Sequence, residues 1–502
     1  MHSFVPFSER ASGVLLHVTS LPSPWGVGDL GERAHEFAQR LAAAGQRYWQ
    51  TLPLNPVSTG NSPYFSPSSC AGNPMLLSIE DLRDRGLLSP EEAVAPGLKD
   101  DGYVDFERAQ DLKQPLLLRA AERLVRSDDP EFLAYCDHEA NWLDDHALFQ
   151  ALAQELGSAW RSWPDTLKFR DAAAIASARE QHAAAIEIEK ALQYLFHCQW
   201  EALRKVCEGC GLAVLGDMPI YVNTDSVDVW ASPETFCLDE HLNPTLESGV
   251  PPDYFSATGQ LWRNPVFNWQ TLERSGFSWW IERLKLLLAR FDAVRIDHFR
   301  GLAQFWAVPA GADNAIDGQW MDVPSHAFFD ALHAALHPLP LVAEDLGTIT
   351  PDVHELRDHY GFPGMIVLQF AFNDDHYDNP YKPENHRENA IAYLGTHDNN
   401  TCRGWLDDEL DEHARRRLQG YTDAQAGPEG VRAMLELLLS SRASTTIVCA
   451  QDLLALPAEA RMNIPGVAEG NWRWQLTAAQ FEALPLQELG DRCAAHGRSA
   501  GA

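Results

Sequence analysis

The chain is poor in the features that mark secreted, nucleic-acid-binding or membrane proteins. It has nine cysteines in 502 residues, an odd number scattered without a dense framework, so a reducing compartment is the simpler expectation. Cys207 and Cys210 form a CEGC pair, which reads as two small side chains one turn apart near a helix end. No second close pair supplies the missing ligands of a zinc site. Basic residues are scarce: 39 Lys and Arg stand against 71 Asp and Glu, for a net charge of -32. That argues against nucleic acid, whose phosphates are met mainly by Lys and Arg, and against an anionic membrane surface. It suits a neutral or cationic partner, although solubility alone also accounts for it. No stretch reaches the roughly 18 apolar residues of a membrane span, and the opening MHSFVPF has no basic region leading into an apolar segment. The expected location is the cytoplasm. There is no GxxxxGK[ST] phosphate loop, no HExxH zinc site, no GxSxG elbow and no calcium-loop spacing.

What the chain has is a recurrence of short apolar runs. They are residues 13–21, 48–54, 212–222, 292–299, 340–347, 364–370, 391–398 and 445–454, each rich in Val, Ile, Leu or aromatics and closed by polar residues. Helical patterns at 36–45, 189–210, 277–291 and 325–336 each precede one of them. Strands alternating with helices predict a parallel sheet, and eight runs predict a closed α/β barrel, the (β/α)8 TIM barrel, within one domain over 1–502. Residues 70–188 are mostly helical and read as a subdomain inserted between barrel strands 2 and 3. Residues 222–270 hold Trp230, Tyr254, Phe255, Trp262 and Trp269 among Asn, Asp, Pro and Gly, and read as a long aromatic-rich loop walling the active-site face. The end of the chain, from about 457, carries NWRWQL and reads as one last strand or helix packed on the barrel.

Active sites of such barrels lie at the C-terminal ends of the strands. Four acids sit there: Asp217 in LGDMP, Asp297 in VRIDHF, Glu344 in LVAEDLG and Asp398 in YLGTHDNN. Side chains alternate along a strand, so Arg295 and Asp297 share a face. An Arg beside Asp297 is expected to lower its pKa and keep it ionised, while adjacent acids at 344 and 345 favour a raised Glu344. Asp297 as nucleophile and Glu344 as acid/base are the pair that glycoside transfer needs, with Asp398 to stabilise positive charge on the ring. His397 is a candidate donor to a substrate hydroxyl. His17, at the end of the first run, reads more as packing or support. The 16 Trp, 12 Tyr and 22 Phe provide faces for sugar C–H groups. Among them Tyr64 in NSPYFSPSS, and Trp262 with Gln260 in ATGQLWRNP, lie in polar loops suited to a ligand.

At these residues the chain closely resembles the 4-alpha-glucanotransferases, the amylomaltases or disproportionating enzymes of glycoside hydrolase family 77. The resemblance rests on LLHVTSLPSPWGVGDLG, NSPYFSPSSCAGNP, LGDMPIYV, GVPPDYFSATGQLWRNPVFNW, VRIDHFRG, VAEDLGTIT, THDNNT and RMNIPG, and spans residues 13 to about 474. It implies a barrel with inserted subdomains, similar to the alpha-amylase superfamily, and retaining transfer of alpha-1,4-glucan segments with no cofactor and no metal in catalysis. In it Asp297 matches the nucleophile, Glu344 the acid/base and Asp398 the third acid. Arg295, His397 and Asp217 match the donor-side sugar site. Tyr64, Phe255, Gln260, Trp262 and Asp374 match or neighbour the acceptor and product path. Partners are then alpha-1,4-glucans, maltooligosaccharides and glucose, and the protein is a monomer or small homo-oligomer. The family commonly reads YTGTHDNDT where this chain has YLGTHDNNT, so Leu394 and Asn400 depart from it. The chain looks like the shorter bacterial and plastid type, and the bacterial cytoplasm is expected.

The nearest rival is an alpha-1,4-glucan hydrolase on the same barrel, which the acids alone do not distinguish. A branching or debranching enzyme and a catalytically dead glucan-binding protein are further rivals, the last opposed by the intact trio.

Overall fold

The computed structural model describes residues 6–252 and 256–499. Eight parallel strands form a near-closed barrel: β1 (Ala11–Leu15), β2 (Tyr48–Gln50), β3 (Ala213–Met218), β4 (Ala293–Ile296), β5 (Leu341–Ala343), β6 (Gly364–Val367), β7 (Ala390–Tyr393) and β8 (Thr445–Cys449). Six lie inside the apolar runs seen in the sequence, and β1 and β7 begin two residues and one residue before theirs. β1 pairs with both β8 and β2, and β5 and β6 are the two ends of the ladder. A single backbone bond crosses that seam among the described residues, from the Ala343 N–H to the Pro363 carbonyl at 2.9 Å.

Burial on both faces explains why these strands read as continuous apolar runs. Alternate residues make two separate cores. Ala11, Leu15, Tyr48, Ala213, Leu215, Ala293, Val342, Met365, Ile391, Tyr393, Ile447 and Cys449 pack together inside the barrel. Val14, Trp49, Val214, Val294, Leu341, Ile366, Ala392 and Val448 join the layer under the helices. Gly13 is needed here, because a Cβ on it would sit 2.5 Å from the Tyr48 carbonyl oxygen. Helices Glu32–Ala43, Ala183–Gly209, Ser278–Arg290, Ser325–Ala335, Pro351–His359 and Gly427–Leu439 lead into β2, β3, β4, β5, β6 and β8.

Between β2 and β3 the chain is mainly helical, with Phe106–Val125, Pro130–His138, Ala140–Leu156 and Ala172–Gln181. The 27-residue helix Ala183–Gly209 runs through residue 188, so the barrel helix and the helical region share one continuous element.

The segment 222–270 is not simply a loop. Its strands Leu246–Val250 and Gln260–Pro265 join Gln304–Pro309 and Gln319–Asp322 in a four-stranded antiparallel sheet. Two of its aromatics also fall elsewhere than expected. Trp230 is fully buried against Phe149 and Trp163, and Trp269 packs on Trp280 and Phe328, so both are core rather than wall. The C-terminal stretch ends in helices Ala478–Ala483 and Leu486–Ala495, but NWRWQL itself is neither strand nor helix and crosses the barrel face. Cys207 is buried and Cys210 exposed at the end of their helix, and all nine cysteines are free. No helix among the described residues is long and apolar enough to cross a membrane.

Candidate active site

The inward-facing row of each strand continues past the strand end and delivers the polar residues. Leu215 is followed two places on by Asp217, Ala293 by Arg295 and then Asp297, and Val342 by Glu344. In the same parity Leu15 leads to His17 and Tyr393 to His397. Barrel alternation therefore carries apolar side chains below and ionisable ones above, at the C-terminal ends.

Arg295 is the hub. It is 2% exposed, and its Nη1 donates to both Asp217 oxygens at 2.8 and 2.7 Å while Nη2 donates to Asp297 Oδ1 at 2.9 Å. The Tyr64 hydroxyl donates to Asp217 Oδ2 at 2.6 Å and lies 2.8 Å from His397 Nε2. With its one proton given to Asp217, the hydroxyl accepts from His397, which puts the imidazole proton on Nε2. Nδ1 of that ring is buried without a partner, and burial lowers the His397 pKa against the opposing pull of Asp398, so the ring is neutral. The same Nε2 lies 3.3 Å from Asp398 Oδ2. Tyr64, Asp217, Arg295, Asp297, His397 and Asp398 thus form one connected network.

Glu344 is held differently. Its Oε2 accepts from the His298 N–H at 2.7 Å and its Oε1 from the Leu346 N–H at 3.1 Å. His298 adopts a left-handed conformation, φ 52°, uncommon for a residue with a side chain, and this turn aims its N–H at Glu344. Burial pushes Glu344 up to about 8, with Arg295 opposing and Asp297 reinforcing. Asp297 is also pushed up by burial, to about 6, with Arg295 opposing and Asp217 reinforcing. The expected lowering of Asp297 by Arg295 is therefore overcome: Arg295 acts in the anticipated direction, but desolvation and Asp217 outweigh it.

Asp398 is oriented by residues that the sequence did not single out. Asn463 Nδ2 donates to its Oδ1 at 2.6 Å, and Arg461 Nη2 donates to its backbone carbonyl at 2.7 Å. The Asn463 N–H donates to the His397 carbonyl at 3.1 Å, and Trp472 packs on Tyr64 and His397. The stretch 461–472 is thus a strap over the face, and its sequence signal was the family motif RMNIPG, which carried no role for Arg461 or Asn463. A narrow cleft opens beside Tyr64 and Asp217, lined also by Asn55, Ser66 and Asn223.

The remaining candidates divide. Trp262 stands edge-on to His298, ring centroids 4.8 Å apart, and its Nε1 donates to Gln260 Oε1 at 3.2 Å, so this pair borders the turn after β4. Phe255, like Tyr254, lies outside the described residues. Asp374 is not brought into the network: its Oδ1 accepts from the His376 N–H and from Asn379 within its own loop after β6. His17 is buried, 3.2 Å from Thr51 Oγ1 through Nδ1, and burial lowers it to about 3 with help from His397, a neutral supporting group. The two departures sit in the frame of the site: Leu394 is fully buried, and Asn400 Nδ2 donates to Glu409 Oε1 at 2.8 Å. Among the described residues no group of three His, Cys, Asp or Glu side chains is placed to hold a metal ion.

A parallel barrel with carboxylates converging at its C-terminal mouth defines a barrel enzyme of the carboxylate-lined kind. The sequence profile of the 4-alpha-glucanotransferases, glycoside hydrolase family 77, matches residues 16–480, and the chain belongs to that family of transferase enzymes. The 4-alpha-glucanotransferase of Thermus thermophilus is 44% identical over 484 residues, covering 94% of this chain and 96% of that protein. The chloroplastic/amyloplastic 4-alpha-glucanotransferase of Solanum tuberosum is 41% identical over 506 residues, covering 98% and 87%. The amylomaltase from Streptococcus agalactiae in complex with acarbose superposes with a TM-score of 0.92 at 34% identity, covering 98% of this chain and 100% of that one.

Proposed function

We propose that the chain moves a segment of a 1,4-alpha-D-glucan onto the 4-hydroxyl of glucose or of another 1,4-alpha-glucan by two successive inversions. Glu344 protonates the glycosidic oxygen while Asp297 attacks the anomeric carbon, forming a covalent glycosyl-enzyme. Glu344, now ionised, takes the proton of the incoming hydroxyl, and the product leaves with net retention. Asp398 faces the positive charge that develops on the ring. Tyr64, Asp217, Arg295 and His397 border the donor sugar, and Gln260 and Trp262 border the acceptor.

The observation that carries this reading is the division of labour between two carboxyls. Asp297, paired with Arg295, is held to about 6 and ionised at neutral pH, while Glu344, lacking a cation in direct contact, is held protonated up to about 8. That is the pairing of nucleophile and acid which retaining transfer needs. The complex of the Streptococcus agalactiae amylomaltase with acarbose supports an oligosaccharide as the ligand.

The test is the product pattern from maltotriose. A ladder of longer glucans together with glucose supports transfer, and monotonic shortening means that the chain is a hydrolase. Residues 70–188 are read as an insertion in one barrel domain, and nine free thiols suit a reducing compartment such as the bacterial cytoplasm.

A further inference from the structure

Asp345 follows the acid/base residue and is unused by the mechanism. It is 4% exposed, and a buried carboxylate needs partners. It has three. Oδ1 accepts from the Met365 N–H at 2.7 Å, and Oδ2 accepts from Arg387 Nη2 at 2.8 Å and from Arg357 Nη1. Arg387 Nη2 also reaches the Met365 carbonyl at 3.4 Å. The carboxylate and guanidinium together therefore engage both backbone groups of one β6 residue.

This matters because of where it happens. β5 and β6 are the two ends of the barrel ladder, so the seam beside Glu344 lacks the regular pairing that fixes the other strands. Side chains take over the role of the backbone there. The site is shaped for it: a Cβ on Gly364 would stand 2.0 Å from Arg387 Nη2 and 2.6 Å from Asp345 Oδ2. Glu344 itself is oriented by two backbone N–H groups, one of them from Leu346, the residue just after Asp345. Whatever fixes the backbone at 345 fixes that donor.

We propose that Asp345, clamped by Arg357 and Arg387 across the β5–β6 seam, is a positioning residue that sets the orientation of the Glu344 carboxyl. It touches no substrate and transfers no proton. The inference rests on the reading of Glu344 as the acid.

The experiment exploits a leaving group that needs no acid. In the full-length enzyme, kcat/KM is measured for maltotetraose and for alpha-maltotriosyl fluoride, whose fluoride departs without protonation. Asp345→Asn is expected to lower kcat/KM on maltotetraose about 100-fold but on the fluoride less than about 5-fold, since misplacing an acid costs only the step that uses it. Arg387→Met, at a guanidinium that is 28% exposed and so less critical to folding, is expected to show the same selectivity to a smaller degree. Equal losses on both donors in both variants, or no loss in either, overturn the proposal in favour of a purely structural role. Glu344→Gln is the reference: if it fails to discriminate between the donors, the acid reading of Glu344 fails and this inference falls with it.

Discussion

The pH dependence of the reaction follows from the two carboxyls and can be worked through. On the proposed mechanism, activity requires Asp297 ionised and Glu344 protonated. With Asp297 at about 6 and Glu344 at about 8, kcat/KM is bell-shaped with a maximum near neutrality. One unit above the Glu344 value, at about pH 9, roughly one-tenth of the enzyme keeps the proton it needs, so the rate is expected to fall about tenfold. The same loss is expected at about pH 5 on the acid side. Initial rates of glucose release from maltotriose between pH 4 and 10 give both limbs. Glu344→Gln, followed by kcat/KM on alpha-maltotriosyl fluoride, separates them: the alkaline limb disappears and the acid limb near 6 stays, because Asp297 keeps its neighbours Arg295, Asp217 and Asp398. An alkaline limb persisting near 8 in that variant refutes the assignment. Stability gives an independent check. Glu344 binds its proton more tightly in the folded protein, so its contribution is fully present below 4.5 and is lost as pH rises through about 8. At about 1.36 kcal/mol per pH unit, the upper bound on this loss is about 5 kcal/mol. For a chain of this length that is about 5 °C in Tm. Glu344→Gln is therefore expected to gain thermal stability over the parent progressively from pH 4.5 to 8 and to hold that gain above it.

Three further outcomes are expected. Asn463→Ala removes the 2.6 Å donor to Asp398 and should lower kcat by about tenfold, the equivalent of a charge-assisted hydrogen bond of roughly 1.5 kcal/mol, with KM nearly unchanged in steady-state kinetics. Trp262→Ala opens the acceptor side next to His298 and should raise the hydrolysed share of maltotriose several-fold by product analysis; an unchanged ratio removes Trp262 from the acceptor path. Lys113→Met deletes a fully buried ammonium that donates to the Met75 carbonyl at 2.7 Å and faces Asp29 at 4.0 Å, leaving Asp29 without its cation, and should cost about 3 kcal/mol in urea unfolding.

The barrel strands were legible because each is buried on both faces and so reads as an unbroken apolar run. The antiparallel sheet was not. Its strand Gln260–Pro265 is mostly half-exposed, and Gln319–Asp322 is almost wholly exposed, and such strands give neither a continuous run nor a clean alternation. The acids were legible for the same reason as the strands, since parity along β3, β4 and β5 carries straight from core residues to Asp217, Asp297 and Glu344. The roles of Asn463 and Arg461 were not, because RMNIPG marks the family without showing a contact with Asp398 some sixty residues away in sequence. Asp374 shows the converse: a polar residue in a plausible loop, spent on its own Asx-type turn.

Arg295 explains why the two carboxyls part company. A cation paired only with Asp297 would push that carboxyl below the ordinary range and leave a poorly basic, weakly nucleophilic oxygen. Burial, reinforced by Asp217, prevents this. Asp217 takes both Nη1 hydrogen bonds, with Tyr64 holding its second oxygen, so most of the guanidinium charge is neutralised before it reaches the nucleophile. Asp217 also repels Asp297 directly. Asp297 is left with a single Nη2 contact, enough to keep it ionised at neutral pH and too little to blunt it. Glu344 receives no side-chain cation contact and stays protonated. Burial raises both carboxyls, and the direct contact with Arg295 holds Asp297 below Glu344, the difference on which the proposed exchange of proton and glycosyl group depends.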